Sequence, residues 1–305
     1  MESSWLVLLS TVDSWQILAI TAKVMTYASC MAAGGGVFFL AVFHAQLDRY
    51  FLREIGRVLL FTSVVGIAFS VVRLGVMNGM MSDNWVGVFS VEMTRMILVS
   101  SEGAAFTMRL VGLALIGVYF SRNVRLRFIA IPFIGAIVTV VSFGVPGHTI
   151  DLAQKLGILT RVLISLHLLS VAFWLGALWP LYRLTFCEDI GVVTSIIRQF
   201  GRIAPIAVGI LVAAGTVLLW GMLGNAEALW LSNYGQAMMA KLLGVFCLIS
   251  LATANKLRLV PGLAVGDRAS VVRLRRSVGI EMIVAAMILL ITAGITSAIG
   301  PPAIN

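Results

Sequence analysis

Eight continuous runs of apolar residues dominate this chain of 305 residues. Each run has the length of roughly 20 residues that an α-helix needs to cross the hydrocarbon core of a bilayer. A membrane-spanning β-strand is shorter and alternates apolar with polar residues, which these runs do not do. The sequence therefore predicts an all-α integral membrane protein, a bundle of eight transmembrane helices. The predicted spans are residues 17–43, 58–80, 104–120, 128–145, 158–182, 203–223, 237–254 and 278–299.

The overall composition indicates the same class of protein. Hydrophobic residues make up 60% of the chain and charged residues only 11%, and the mean hydropathy is +1.03. A soluble domain carries about 25% charged residues. Because no linker or low-complexity stretch divides the chain, we interpret residues 1–305 as one polytopic membrane domain.

Basic residues lie mostly on one side of the predicted bundle. The connections after spans one, three, five and seven hold most of the 22 lysines and arginines, whereas the opposite connections hold few. The positive-inside rule places the basic connections in the cytoplasm, which we call the inner side, and both termini outside, in the periplasm. The net charge of +9 is therefore a topology signal and does not indicate nucleic-acid binding.

The sequence lacks the motifs that several functional classes of protein require. A pump driven by nucleotide hydrolysis needs a phosphate-binding Gly-x-x-x-x-Gly-Lys-Ser/Thr loop or an aspartyl-phosphate domain, and the sequence has neither. Its three cysteines form no Cys-x-x-Cys pair, so they predict neither a disulfide framework nor a thiolate metal site. We predict a protein that is not an enzyme and that moves any cargo without nucleotide hydrolysis.

Copper is the metal that the remaining chemistry favours, because imidazole suits cupric copper and thioether suits cuprous copper. Both ligand types occur toward the predicted outer side, where an ion would arrive. A histidine inside a span needs a ligand or a hydrogen bond. For each histidine the alternative is a structural hydrogen bond, and for each methionine it is ordinary packing. The candidate metal ligands are His148, His167, Met77, Met80, Met81, Met238 and Met239.

Four further residues are candidates for supporting roles. Trp174 follows His167 by seven residues, two helical turns along the same face, so it either walls the site or packs beside it. An ammonium group cannot bind a metal, so Lys241 is expected to pair with a carboxylate or to tune access. Glu281 is expected to pair with a neighbour near the inner side. His44 lies at the inner end of span one and is either an exit ligand or a solvated interfacial histidine.

These residues together resemble the bacterial copper resistance protein D (CopD) family. The motifs that carry the resemblance are Gly147-His148, the stretch His167–Pro180, Tyr234-Gly235 followed by Lys241, Asn255-Lys256, and Leu274-Arg275-Arg276 leading to Glu281. The resemblance implies a bacterial inner-membrane protein that takes copper from the periplasm and moves it toward the cytoplasm. It also implies His148 and His167 as ligands, and as a partner a separate periplasmic copper-binding protein of the C type.

Two other functions remain open from the sequence. A b-type haem protein would use histidine pairs from facing helices as axial iron ligands. Three histidines, with His44 on the opposite side, allow at most one such haem, or one haem with a histidine and a methionine. A copper-binding scaffold or sensor that does not transport the ion would carry the same ligands. The sequence does not determine the copper oxidation state, Cu(I) or Cu(II).

Overall fold

The computed structural model describes residues 13–121, 128–145, 157–223 and 227–298, and in these ranges the fold is entirely helical. The helices are α1 (Ser14–Phe43), α2 (Arg49–Ser82), α3 (Val91–Val99), α4 (Ser101–Ser121), α5 (Ala130–Val141), α6 (Ile158–Leu184), α7 (Ile190–Leu223), α8 (Ala228–Leu231), α9 (Asn233–Ala254), α10 (Val260–Ala264) and α11 (Arg268–Ala298). Short 3₁₀ turns lie at His44–Gln46, Val86–Phe89 and Ser142–Gly144, and a π-helical segment at Asn255–Leu259 joins α9 to α10.

Among the residues that the structure describes, seven helices are long and apolar enough to cross a membrane. They confirm seven of the eight predicted spans. They are α1, α2, α4, α6, α7, α9 and α11. The fourth predicted span, 128–145, forms only the 12-residue helix α5 followed by a 3₁₀ turn. At about 1.5 Å per residue, α5 alone is too short to cross the ~30 Å hydrocarbon core. An eighth span and periplasmic termini therefore stay predictions.

Three helices begin well before the apolar runs that predicted them, and each does so at the basic end of the bundle. The helix α2 begins at Arg49 instead of residue 58, α7 at Ile190 instead of 203, and α11 at Arg268 instead of 278. Hydropathy detects only the part of a helix that lies in hydrocarbon, whereas a helix continues into water wherever its polar residues tolerate it. The Asp48 carboxylate caps α2 by accepting a hydrogen bond from the backbone N–H of Phe51 at 2.6 Å.

The helix α1 lies at the centre of the bundle, where it packs against α2, α5, α6 and α11. It crosses α6 where Gly35 meets Gly176: a Cβ atom added to Gly35 would lie 2.6 Å from the Cα of Gly176. Helix pairs in membranes use small residues in this way, since close approach of the backbones maximises their van der Waals contact. The crossing fixes the face of α6 that points into the bundle.

The helices α7 and α9 are the most exposed of the long helices. The helix α7 packs mainly against α6, and α9 packs mainly against α11. The space between α7 and α9 is occupied by two cavities, one toward each end of the bundle. These cavities contain most of the polar groups that the sequence analysis selected in this half of the chain.

Candidate metal site

The cavity nearer the outer end, which we call the outer cavity, has a volume of about 390 Å³. Residues of α1, α6, α7, α9 and α11 line it, and most of them are aliphatic or aromatic. Its groups able to bind a metal or a polar ligand include Tyr27, Met31, His167, Met238 and Lys241. The site therefore combines one imidazole and two thioethers from three different helices in an otherwise apolar space.

His167 projects from the tenth residue position of α6, counted from the outer end. Its Nδ1 atom lies 3.1 Å from the backbone carbonyl oxygen of Leu211 on α7. A carbonyl oxygen can only accept a hydrogen bond, so Nδ1 carries the hydrogen and Nε2 keeps its lone pair. A hydrogen bond from the second ring nitrogen to a carbonyl is the usual arrangement that orients a metal-binding histidine.

Two further residues fix the position of this imidazole and of the cavity wall. A Cβ atom added to Gly215 on α7 would lie 3.1 Å from Cε1 of His167, so a side chain at this position would crowd the ring. Trp174 is 3% exposed and lines the cavity two turns below His167. The prediction that Trp174 lies on the same inward face as His167 is confirmed, and its indole forms part of the wall.

Met31 and Met238 are the two methionines that line the outer cavity. Met31 lies in the centre of α1 and is 4% exposed, and Met238 lies one turn into α9. Met238 belongs to the ligand set predicted from the sequence, whereas Met31 does not. The available signal for Met31 was its place just before the run of small residues Gly34 to Gly36, where α1 approaches other helices closely.

The thioethers matter because no group of three or more His, Cys, Asp or Glu side chains able to hold a metal occurs in the described ranges. A site in the outer cavity would therefore consist of imidazole and thioether groups. This donor set suits cuprous copper and is unsuitable for Mg²⁺ or Ca²⁺, which prefer oxygen ligands. The residues present thus fit copper better than the other common protein-bound cations.

The remaining methionines of the predicted ligand set lie elsewhere. Met77, Met80 and Met81 lie at the outer end of α2 and do not line the outer cavity. Met80 and Met81 are 41% and 53% exposed. Met239, which is half-buried, follows Met238 on α9 but does not line the cavity. The structure therefore places Met238 in the same cavity as His167 and leaves the Met77 group outside it, at the outer end of α2.

The other two histidines do not accompany His167 in the described part of the chain. His148, a predicted ligand, lies outside the described residues. His44 lies in the 3₁₀ turn at the inner end of α1, where its Nδ1 is 2.9 Å from the carbonyl oxygen of Leu40. His44 lines neither of these two cavities, so the described residues do not place it opposite His167 as a second axial ligand of a haem.

Lys241 and Glu281, both selected as buried charges, lie in different cavities. Lys241 lines the outer cavity together with His167. Within the described ranges, neither Lys241 nor Glu281 forms an ion pair. Glu281 lines the second cavity and accepts a 2.6 Å hydrogen bond from Nδ2 of Asn255. Glu281 thus has a neighbour near the inner side, Asn255, whereas Lys241 has no carboxylate partner among the described residues, which leaves the alternative that it tunes access.

Two arginines inside the bundle add positive charge near the outer end. Arg73 on α2 donates two hydrogen bonds to the Glu102 carboxylate, at 3.0 and 3.1 Å. Arg109 on α4 is 1% exposed, and its Cζ lies 4.5 Å from the ring centroid of Phe143. Phe143 also lines the outer cavity, so the Arg109 guanidinium lies behind its aromatic wall. Of these, only Arg73 has a carboxylate partner among the described residues.

Comparison with protein families gives matches over most of the chain. Residues 12–157 match the model described as copper resistance protein D-like, N-terminal domain. Residues 194–295 match the model described as copper resistance protein D. No curated protein matches the chain, and no solved structure matches it.

Proposed function

Because the chain belongs to the copper resistance protein D family, we propose that it binds copper in the outer cavity and moves the ion across the membrane. Family membership and seven apolar helices make it a multi-pass membrane protein of copper resistance. The proposal adds the place of binding, the ligands, the inner membrane of a bacterium and the direction, from the periplasm toward the cytoplasm.

One observation carries the proposed site: the hydrogen bond from Nδ1 of His167 to the Leu211 carbonyl oxygen, which leaves Nε2 free for a metal. His167 shares the outer cavity with the thioethers of Met31 and Met238. These three groups would form a low-coordinate site for cuprous copper. A site with few ligands exchanges its ion readily, as transport requires.

The proposed direction has two physical supports. The outer side carries acidic residues beside few basic ones, which favours arrival of a cation there. A membrane potential that is negative inside favours inward movement of a monovalent cation by about 2.3 kcal/mol per 100 mV. No nucleotide-binding motif is present to drive the ion the other way.

The methionines at the outer end of α2 fit an earlier step of the same route. Met80 and Met81 are exposed, so they can accept copper from the outer solution or from a periplasmic copper-binding protein of the C type. His148 would contribute to the same first site. From there the ion would pass to His167. Transport distinguishes this proposal from a scaffold or sensor, which would bind copper and hold it.

The proposed binding site is tested by elemental analysis of the purified protein after copper loading. We expect at least one copper per chain in the wild type, and a marked loss in His167→Ala. His44→Ala is the matched control, because it removes the other histidine of the described structure and lies outside the cavity; it should keep its copper. Full copper content in His167→Ala would overturn the site, and stoichiometric iron without copper would indicate haem instead.

The transport step is tested by copper uptake into vesicles that contain the protein. Wild-type vesicles should accumulate copper faster under an inside-negative potential, and His167→Ala vesicles should not exceed protein-free ones. A wild type that binds copper and gives no uptake would be a scaffold or sensor.

A further inference from the structure

The second cavity, which we call the inner cavity, has a volume of about 500 Å³ and lies toward the basic end of the bundle. Trp174, Val212 and Ile249 line both cavities. These three side chains therefore form the boundary between the outer cavity, which contains His167, and the inner cavity. An ion that left His167 for the inner side would cross this boundary.

Glu281 is the acidic residue that lines the inner cavity in the described part of the chain. It is 4% exposed, and it accepts a 2.6 Å hydrogen bond from Nδ2 of Asn255. This bond satisfies one carboxyl oxygen without adding a positive charge. The remaining lining is mostly aliphatic and aromatic, so the cavity offers Glu281 little solvation.

Two basic residues at this end of the bundle, Lys256 and Arg275, form no ion pair with Glu281 among the described residues. Lys256 lines the same cavity but is an exposed residue at its inner end, and it makes no ion pair with Glu281. Arg275, on the same helix as Glu281, donates to the backbone carbonyl and hydroxyl of Thr185. Tyr182 on α6 lies near Gly279, two residues before Glu281, and contributes no charge when its hydroxyl is protonated.

An ionised carboxylate in an apolar cavity is costly unless a cation accompanies it. Copper is a poor match for Glu281, since oxygen ligands suit harder ions and the described residues give Glu281 no histidine, cysteine or acidic neighbours that would complete a metal site. A proton is the cation that a single carboxylate binds without further ligands. We propose that Glu281 is a proton-binding site in the inner cavity and that its proton is exchanged for the copper ion on its way inward.

The exchange conserves charge and rests on the proposed copper transport. With the inner cavity empty, the Glu281 carboxyl is neutral and holds one proton. When a monovalent copper ion passes Trp174, the O–H bond of Glu281 breaks and one proton leaves toward the inner solution. The carboxylate then balances the charge of the ion, and it takes up a proton from the inner solution when the ion departs.

Infrared spectroscopy of the copper-free protein tests the proton site by itself. A protonated carboxyl has a C=O stretching band that an ionised carboxylate lacks. Near neutral pH the wild type should show this band, the band should shift when glutamate is isotope-labelled, and Glu281→Gln should lose it. Gln has nearly the same shape and can still accept the Asn255 hydrogen bond. Glu188→Gln, which changes an exposed glutamate at the inner end, is the control and should keep the band.

The exchange step is tested in vesicles that take up cuprous copper, because the proton leaves Glu281 only when the ion passes through the inner cavity. The band should decrease in wild-type vesicles while copper is being taken up and return when uptake is complete, and Glu281→Gln vesicles should take up copper more slowly. A copper-free wild type without the band, or a band kept by Glu281→Gln, would overturn the proton site. If the band is present and copper is taken up without changing it, the exchange is wrong while the copper site stands. If no copper binds to the wild type, the proposed copper function is wrong. The band of the copper-free protein still shows whether Glu281 holds a proton.

Discussion

Gly215 on α7 lies directly against the imidazole of His167 on α6, so that an added Cβ atom would be 3.1 Å from Cε1 and 3.2 Å from Nδ1 of the ring. The same turn of α7 provides the Leu211 carbonyl oxygen that orients the ring. The position of the proposed metal ligand therefore depends on the absence of a side chain on the neighbouring helix.

Gly215→Ala should weaken copper binding without unfolding the protein. The new methyl group requires the ring to move by a few tenths of an ångström, while alanine is the better helix former by about 1 kcal/mol. We expect the copper dissociation constant to rise roughly tenfold, about 1.4 kcal/mol, and the thermal stability to be unchanged or slightly higher. Copper titration and thermal unfolding measure the two effects.

Gly294→Ala on α11 is the control for this prediction, because an added Cβ there meets no atom within 4 Å. It makes the same chemical change in a long helix and should leave copper affinity at the wild-type value. Equal affinities for Gly215→Ala and the wild type would show that the ring position does not matter for binding.

Replacing Lys241 by leucine should tighten copper binding. Lys241 lines the cavity of His167 and has no acidic partner in the described ranges. Its ammonium group therefore repels a bound cation. Removing it leaves no carboxylate without its ion-pair partner. Two like charges a few ångströms apart interact by a few kcal/mol at an effective dielectric constant near 20. We expect roughly tenfold tighter binding and slower release, measured by competition with a copper chelator.

Lys256→Leu provides the comparison, since it removes a lysine from the inner cavity and leaves the outer cavity unchanged. Its effect on affinity should be small. Weaker binding in Lys241→Leu would mean that the lysine supports the site and does not repel the ion.

Gly35→Ala should destabilise the bundle strongly. The added methyl group would lie 2.6 Å from the Cα of Gly176 and closer still to the carbonyl oxygen of Ala172, which are backbone atoms and cannot rotate away. Overpacking typically costs about 1–3 kcal/mol, and a backbone clash belongs at the upper end. Thermal unfolding in detergent should show a clear fall relative to Gly294→Ala. Wild-type stability would contradict the close crossing of α1 and α6.

Hydropathy predicted the helical class and seven spans well, because the thickness of the bilayer sets the length of an apolar run. It missed the early starts of α2, α7 and α11, where arginine-rich turns continue the helix outside the hydrocarbon. For 128–145 the described residues form the short helix α5 and a 3₁₀ turn, so the span predicted there stays a prediction. Composition indicates that a segment is apolar and does not show where its backbone leaves helical geometry.

For the site, spacing along one helix was informative and contact between helices was not. The seven-residue interval predicted that Trp174 shares a face with His167, as observed. Met31 and the Leu211 carbonyl oxygen reach His167's cavity through the packing of α1 and α7, which a single sequence does not encode as a spacing. The Met77 group shares the outer end with His167, yet it lies on α2, which contributes no residue to the lining of the cavity.

X-ray absorption spectroscopy at the copper edge of the loaded wild type and of His167→Ala tests the central claim most directly. The wild type should show cuprous copper with imidazole nitrogen and at least one thioether sulfur in its first coordination shell, from His167, Met31 and Met238. The variant should lose the part of the imidazole contribution that comes from His167, while His148 at the first site would keep its own. A wild-type spectrum with oxygen and nitrogen neighbours and no sulfur, or one that His167→Ala leaves unchanged, would contradict a copper site in the outer cavity.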